Sequence, residues 1–268
     1  MSLNPSFMNS FSLVQSAIAD YQRGPISRNV AESDEMAHRS WDKELHSYFA
    51  AGQEALEIIL QGLFLCSSSK VRTILSMPCG HGRELRHVKA AFPDAKIVAC
   101  DLYQEKVVFC SQEFGVEGVK SKENFDQIEF NDKFDLIWVG SLLTHMPEPL
   151  FLKAFNLFSR SLAPDGVALI TFQGRHAPFI QKNLWKFMPD KKFAVAEAKF
   201  RKSGFGYADY NMRSVYNEQK DYGISLSAPS YVARLLENDE SIQIHGMMER
   251  RWDSCQDVVV FKKKYIHS

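Results

Sequence analysis

Two features of the sequence stand where a bound nucleoside would need them. Cys79-Gly80-His81-Gly82 follows a short β-branched run, and Asp101 comes 19 residues after Gly82. Glycines one residue apart free the backbone to take positive φ and to approach a ligand closely. A helix opening at Arg83 aims its unpaired N–H groups at a polar or anionic group. An acidic residue at the end of the next strand accepts hydrogen bonds from ribose hydroxyls, at the separation seen here. Each feature has a plainer alternative: a simple strand-to-helix turn, and a helix N-cap aspartate. Together, in this order, they predict a nucleoside-containing ligand. The dinucleotide fingerprint asks for a third glycine. Counted from Gly80 that position is Leu85, and counted from Pro78 it is Arg83. The cradle for a pyrophosphate is therefore missing.

These residues need a sheet to hold them, and the pattern supplies one. Val71–Met77, Lys96–Cys100, Val119–Ser121, Phe134–Gly140 and Val167–Phe172 read as strands. Arg83–Phe92, Gln104–Phe114 and Pro149–Leu162 between them carry apolar residues at helical spacing. Pro93-Asp94, Gly115 and Pro164-Asp165-Gly166 punctuate them. Phe134–Gly140 is apolar almost throughout, as a strand buried on both faces is. Strand and helix in alternation predict a parallel α/β sheet with right-handed crossovers. Ile242–Arg250 and Asp257–Lys262 read as an antiparallel hairpin, preceded by a helix over Ser230–Leu236 capped near Ser227. The expected fold is α/β: a Rossmann-like three-layer sandwich with a mostly parallel seven-stranded sheet ending in an antiparallel hairpin. Residues 5–67 read as helical around a polar loop at 24–35. The expected division is an N-terminal helical segment, 1–67, packed on a domain of 68–268. Residues 176–226, aromatic and poor in periodicity, form an insertion. It is either a substrate-facing lid or a surface excursion with its own small core.

Three segments resemble the motifs of the class I S-adenosylmethionine-dependent methyltransferases. Ile74–Arg83 resembles the first motif, Phe134–Met146 the fourth-strand motif, and Leu162–Val167 the turn before the fifth strand. Asp101 lies between them in the family's order, and Trp252, Gln256 and Asp257 in the closing hairpin are similar in kind. The resemblance covers roughly residues 70–175. It implies S-adenosylmethionine as cofactor. Pro78, Gly80 and Gly82 would line the methionine portion, Asp101 would hold the ribose, and Leu102 would pack on adenine. Asn124 and Phe125 would meet the adenine edge and face, and Gly140 and Ser141 the region of the sulfonium. Tyr48 and Gly52 would close over the cofactor from the N-terminal helix. Two positions depart from the family: Ser76 replaces an acidic residue and Pro78 a glycine. Proline fixes φ and removes an N–H.

The implied activity is methyl transfer to oxygen or nitrogen of a small-molecule acceptor by in-line displacement. The alternatives are a catalytically inert nucleoside-binding module of the same fold and an NAD-dependent oxidoreductase. A hydroxyl acceptor would want a general base. His145 is the candidate, with packing or capping as its other role. His176, Tyr207 and Tyr210 are further acceptor-facing candidates in the insertion. Rings at Trp185, Phe187, Phe193, Phe200, Phe205, Tyr207 and Tyr210 would wall a pocket, bury a subdomain or meet a partner. The lysines among them read as a solvated face.

Composition bounds the rest. Lys plus Arg equals Asp plus Glu, 32 each in 268 residues. That balance gives no general pull toward nucleic acid or an anionic membrane, and neither is expected as a partner. Five cysteines, an odd number without Cys-x-x-Cys spacing, read as free thiols of a reducing compartment. No metal site is expected. No apolar run reaches membrane-span length, and Met1–Ser16 lacks a signal-peptide layout. The expected location is the cytoplasm. The acceptor and the oligomeric state are not legible.

Overall fold

The computed structural model describes residues 4–40, 42–210 and 221–264. In chain order the N-terminal helices are α1 (Pro5–Arg23), α2 (Glu35–His38) and α3 (His46–Leu65). Then come β1 (Thr73–Ser76), α4 (Leu85–Ala91), β2 (Lys96–Asp101), α5 (Gln104–Phe114), β3 (Glu117–Lys120), β4 (Phe134–Val139), α6 (Glu148–Ser161) and β5 (Leu162–Phe172). The insertion holds α7 (Ala177–Asn183), α8 (Asp190–Ser203), β6 (Phe205–Asp209) and β7 (Gly223–Ser227). The chain closes with α9 (Pro229–Glu237), β8 (Ile242–Trp252) and β9 (Gln256–Lys263).

Seven strands form one sheet in the order β3-β2-β1-β4-β5-β9-β8. Neighbours from β3 to β5 are parallel, and β9 runs antiparallel to both β5 and β8. Alternation along each strand divides the core into two layers. Ile74, Leu136, Trp138, Leu169, Val258 and Val260 face one way, against Ile58, Ile59 and Leu63 of α3 and Leu85 and Val88 of α4. Leu75, Ile137, Val139, Ile170, Val259 and Phe261 face the other, against Phe151, Phe155 and Phe158 of α6 and Val232 and Leu236 of α9. This is the expected three-layer sandwich. A carboxylate pins its centre: Asp135 Oδ2 accepts the N–H groups of Arg72 (2.9 Å) and Thr73 (3.3 Å), fixing where β1 starts.

In the insertion, β6 and β7 pair antiparallel, and Phe193, Ala196, Ile224 and Leu226 bury a small core of its own. Such a core joins residues about 30 positions apart, which no short-range periodicity reveals. Two local expectations are corrected. The fifth strand begins at Leu162, not after Gly166, with Asp165 at a φ of 62° making its irregularity. The cap near Ser227 is not made. Ala228 takes the N-cap place without a side-chain bond, and Ser227 is the last residue of β7. Among the described residues no helix is long and apolar enough to cross a membrane.

Candidate active site

The carboxyl ends of β1, β2 and β4 bring the nucleoside-type residues together. The loop leaving β1 is tied to β2 by its backbone, Cys79 N–H to the Cys100 carbonyl at 2.9 Å. Gly80 and Gly82 take φ of 50° and 78°, the left-handed region that glycine enters without steric cost. Asp101, 5% exposed, spans the mouth of this loop. Its Oδ2 accepts the Gly80 N–H at 2.9 Å and its Oδ1 the Tyr103 N–H at 3.1 Å. Burial raises the Asp101 pKa, against the Tyr103 N–H, the Lys106 charge and the Gly80 N–H, which lower it. A carboxylate so desolvated gains from further hydrogen-bond donors. A β-carbon on Gly80 would meet nothing within 4 Å, so the backbone there borders open space.

The other expected residues are dispersed around this mouth. Pro78 and Leu102 are half-buried. Asn124 accepts the Asp126 N–H (3.2 Å) and a bond from Lys153 Nζ (3.3 Å), capping a 3-10 turn. Phe125, the next residue, is 4% exposed and packs in the core beneath α6. Ser141, just past β4 at a φ of 58°, is held from three sides. Its N–H donates to Thr171 Oγ1 (2.8 Å), its Oγ accepts from Gln256 Nε2 (2.6 Å), and its carbonyl accepts from Thr144 Oγ1 (3.0 Å). Thr171 Oγ1 in turn donates to Gln256 Oε1 (2.6 Å). Gly140 lies against an edge-to-face pair, Trp138 and Trp252, whose ring centroids are 5.5 Å apart. Trp252 Nε1 donates to the Ala51 carbonyl (2.9 Å), whereas Trp138 Nε1 is buried without a partner.

The N-terminal segment closes over the loop through residues whose partners lie far away in sequence. Tyr48 OH donates to Asp34 Oδ2 (2.6 Å), and burial first, then the Asp34 charge, pushes that phenol far above its usual pKa. Arg86, 2% exposed, gathers the Ser27 and Asn29 carbonyls (2.8 and 3.0 Å) and the Gly82 carbonyl (3.1 Å) around one guanidinium. Ligand atoms of Asp34, Glu35 and His81 lie within 4.8 Å of one another, yet Lys106 Nζ, 3.2 Å from Glu35, supplies the positive charge there. The sequence gives no signal for the contacts of Asp34 and Arg86, because a lone aspartate and a helical arginine carry no spacing pattern.

His145 sits in a 3-10 turn after β4 and reaches the insertion. Its Nδ1 donates to the Gly223 carbonyl (2.8 Å), and its ring stacks on Tyr222 with centroids 4.8 Å apart. Burial lowers its pKa to about 4. Tyr210 lies beside it, its hydroxyl 3.4 Å from Nδ1. Tyr207 OH bonds Asp209 (3.3 Å), and His176 stacks on Phe179 away from this turn. In the insertion Phe193 is buried, while Leu184 and Trp185 are exposed. All five cysteines are buried and unpaired.

Residues 74–166, which hold β1 to the start of β5, match the sequence model of a family described as a methyltransferase domain. Solved methyltransferases share this chain's fold. One is an S-adenosylmethionine-dependent methyltransferase from Clostridium acetobutylicum, 13% identical, with a TM-score of 0.52, covering 81% of this chain and 92% of its own. Another is the 1,6-didemethyltoxoflavin-N1-methyltransferase of Burkholderia thailandensis, crystallised with 1,6-didemethyltoxoflavin and S-adenosylhomocysteine. It is 14% identical, with a TM-score of 0.55, covering 99% of this chain and 93% of its own. A third is an amino pentose methyltransferase from Micromonospora echinaspora bound to S-adenosylmethionine, 11% identical, with a TM-score of 0.53 over 80% of this chain and 92% of its own. No curated protein matches this chain by sequence.

Proposed function

We propose that this protein binds S-adenosylmethionine and transfers its methyl group to oxygen or nitrogen of a small-molecule acceptor. The observation that carries this reading is the Asp101 carboxylate fixed across the Gly80-His81-Gly82 turn. Two N–H groups orient it, and its burial favours ribose hydroxyls as further donors. The open space at Gly80 and the unpartnered Trp138 Nε1 beside Gly140 fit a polar ligand lying across the ends of β1 and β4. When bound, the cofactor supplies an electrophilic methyl on a sulfonium, a good leaving group.

The chain's own residues then bind, orient and exclude water. Asp101 holds the ribose, Leu102 covers adenine, and Asn124 with Phe125 shapes the adenine end. Pro78, Gly80 and Gly82 line the methionine portion; Gly140 and Ser141 border the sulfonium. The Ser141–Thr171–Gln256 bonds keep that border rigid, so an acceptor meets the methyl carbon without reorganisation. Tyr48 and Gly52 close the site from α3, within the segment 1–67 that packs on the domain of 68–268. The insertion, 176–226, faces the acceptor. For a hydroxyl acceptor, His145 is the candidate base. Its pKa near 4 makes it a weak one, so a neutral amine, which needs no base before transfer, fits better. The acceptor bound in one similar structure, a didemethyltoxoflavin, and the amino pentose that names another support a small molecule and not nucleic acid. Five buried thiols suit a cytoplasmic setting.

Calorimetry with S-adenosylmethionine, S-adenosylhomocysteine and NAD tests the reading. Binding of the first two, weakened roughly 10- to 100-fold in Asp101→Ala by loss of charge-assisted hydrogen bonds, is expected. Tight NAD binding without response to the others defeats it. Mass-spectrometric turnover over an acceptor library separates an active enzyme from an inert binder.

A further inference from the structure

A groove of about 540 Å³ lies outside the site described above, between the end of α8, the start of α9 and the segment leaving β5. Four cationic side chains line it: Arg175, Arg201, Lys202 and Arg234. They come from three separate stretches of chain. The rest of the lining is Phe200, Ser203, Gly204, Ala228 and Ser230, so among the described residues no carboxylate lines the groove.

The carboxylates that touch these cations stand outside the lining. Glu249 takes Arg175 from the β8 side, and Glu197 takes Arg201 from one helical turn back on α8. Each pair fixes a planar guanidinium while leaving other N–H donors of its fork available. At the opposite wall, α9 opens with Pro229 at its first turn and no side-chain cap. Pro229 has no N–H and the Tyr231 and Val232 N–H groups donate to the Ala228 carbonyl, which leaves the Ser230 N–H at the positive end of the helix dipole.

We propose that this groove binds a small phosphate-bearing anion. Guanidinium forks match phosphate oxygens bidentately, an ammonium adds a point charge, and the Ser230 hydroxyl and N–H complete the donor set. The shared chemistry is a phosphate monoester or diphosphate, whether carried by a soluble metabolite or by a lipid headgroup. Arg175 stands three residues past β5, whose Thr171 joins the Ser141 network.

The test uses the full-length chain, with inorganic pyrophosphate as the probe, at low ionic strength and against chloride of equal ionic strength. The expected result is saturable heat and a raised unfolding temperature with pyrophosphate alone. Lys202→Gln with Arg234→Gln should weaken binding about tenfold or more per lost charge-assisted contact. Far-UV circular dichroism and the unliganded melting temperature report whether that variant is folded, and Arg175→Gln supplies a second, independent one. A sugar phosphate binding as pyrophosphate does assigns a soluble ligand. Phosphatidylglycerol vesicles that bind and compete with pyrophosphate assign a lipid headgroup. No saturable binding, or binding unchanged in both variants, overturns the proposal. None of these measurements uses S-adenosylmethionine, so they stand or fall separately from the methyl-transfer reading.

Discussion

Gly52 of α3 stands directly against the backbone of Arg83: a β-carbon at position 52 would lie 2.3 Å from the Arg83 carbonyl oxygen and 2.6 Å from His87 Cδ2. No side chain fits between helix α3 and the turn that opens α4. The contact sets how closely the N-terminal segment approaches the loop carrying Gly80 and Gly82. Gly52→Ala must push the two apart, although alanine suits a helix interior better than glycine. The expected loss is about 1–3 kcal/mol, the range for forced overpacking, read from urea unfolding. A neutral or stabilising result would show that α3 does not hold this position.

Asp257 is fully buried, with Oδ1 accepting the Arg250 N–H (2.8 Å) and Oδ2 without a partner. Burial raises its pKa to about 6, above the unfolded value of about 3.9. The folded state therefore favours the protonated acid. The stability this gives is complete below pH 4 and is lost as pH rises through 6. Asp257→Asn stays neutral and keeps an oxygen for Arg250. Relative to the wild type, it should gain up to about 3 kcal/mol between pH 4 and 7. Parallel unfolding curves for the two proteins across that window would contradict the assignment.

Much of this architecture was visible in advance, for a physical reason. Strands β1, β2, β4, β5 and β9 are buried on both faces, so their apolar runs stand out, and the helices between them show one apolar side. The edge strand β3, Glu117–Lys120, is mostly exposed, and its sequence was correspondingly faint. At the candidate site, Gly80, Gly82 and Asp101 stand out because backbone conformation and strand end dictate their types. Asp34 and Arg86 do not. Each works through a partner brought close only by the fold: Tyr48 14 residues away and Ser27 59 away. Whole-chain charge balance likewise concealed the four cations that meet around Ser230.

Two buried imidazoles titrate in the opposite direction to Asp257. His145 and His87 both have pKa values lowered to about 4, chiefly by burial. His87 also meets Tyr21 OH at 2.8 Å through Nδ1. Their unfolded value is about 6.5, so the neutral form is the folded one. Stability from each is present above pH 6.5 and lost as pH falls toward 4, by at most about 3 kcal/mol apiece. Nitrogen-15 shifts of the two rings should show neutral imidazoles at pH 6. A midpoint near 6.5 for His145 would mean that its ring is in water, free of Gly223 and Tyr222.

The two glycines of the loop should answer differently to alanine. Both have positive φ, so each substitution costs about 1–2 kcal/mol of backbone strain. There the likeness ends. A β-carbon on Gly82 would lie 2.3 Å from Phe114 Cε2, inside the packed layer that α5 forms under the loop. Gly82→Ala must displace that ring and adds an overpacking cost of about 1–3 kcal/mol. A β-carbon on Gly80 enters open space instead, so Gly80→Ala should remain folded with only the strain cost. That open space is where the cofactor is proposed to lie. Gly80→Ala should accordingly lose S-adenosylhomocysteine affinity out of proportion to its stability, about tenfold or more if a methyl displaces one good polar contact. Thermal unfolding and calorimetry on the two variants separate the effects. If Gly80→Ala binds S-adenosylhomocysteine as the wild type does, the ligand does not approach the loop at this residue, and the role given to Gly80 falls.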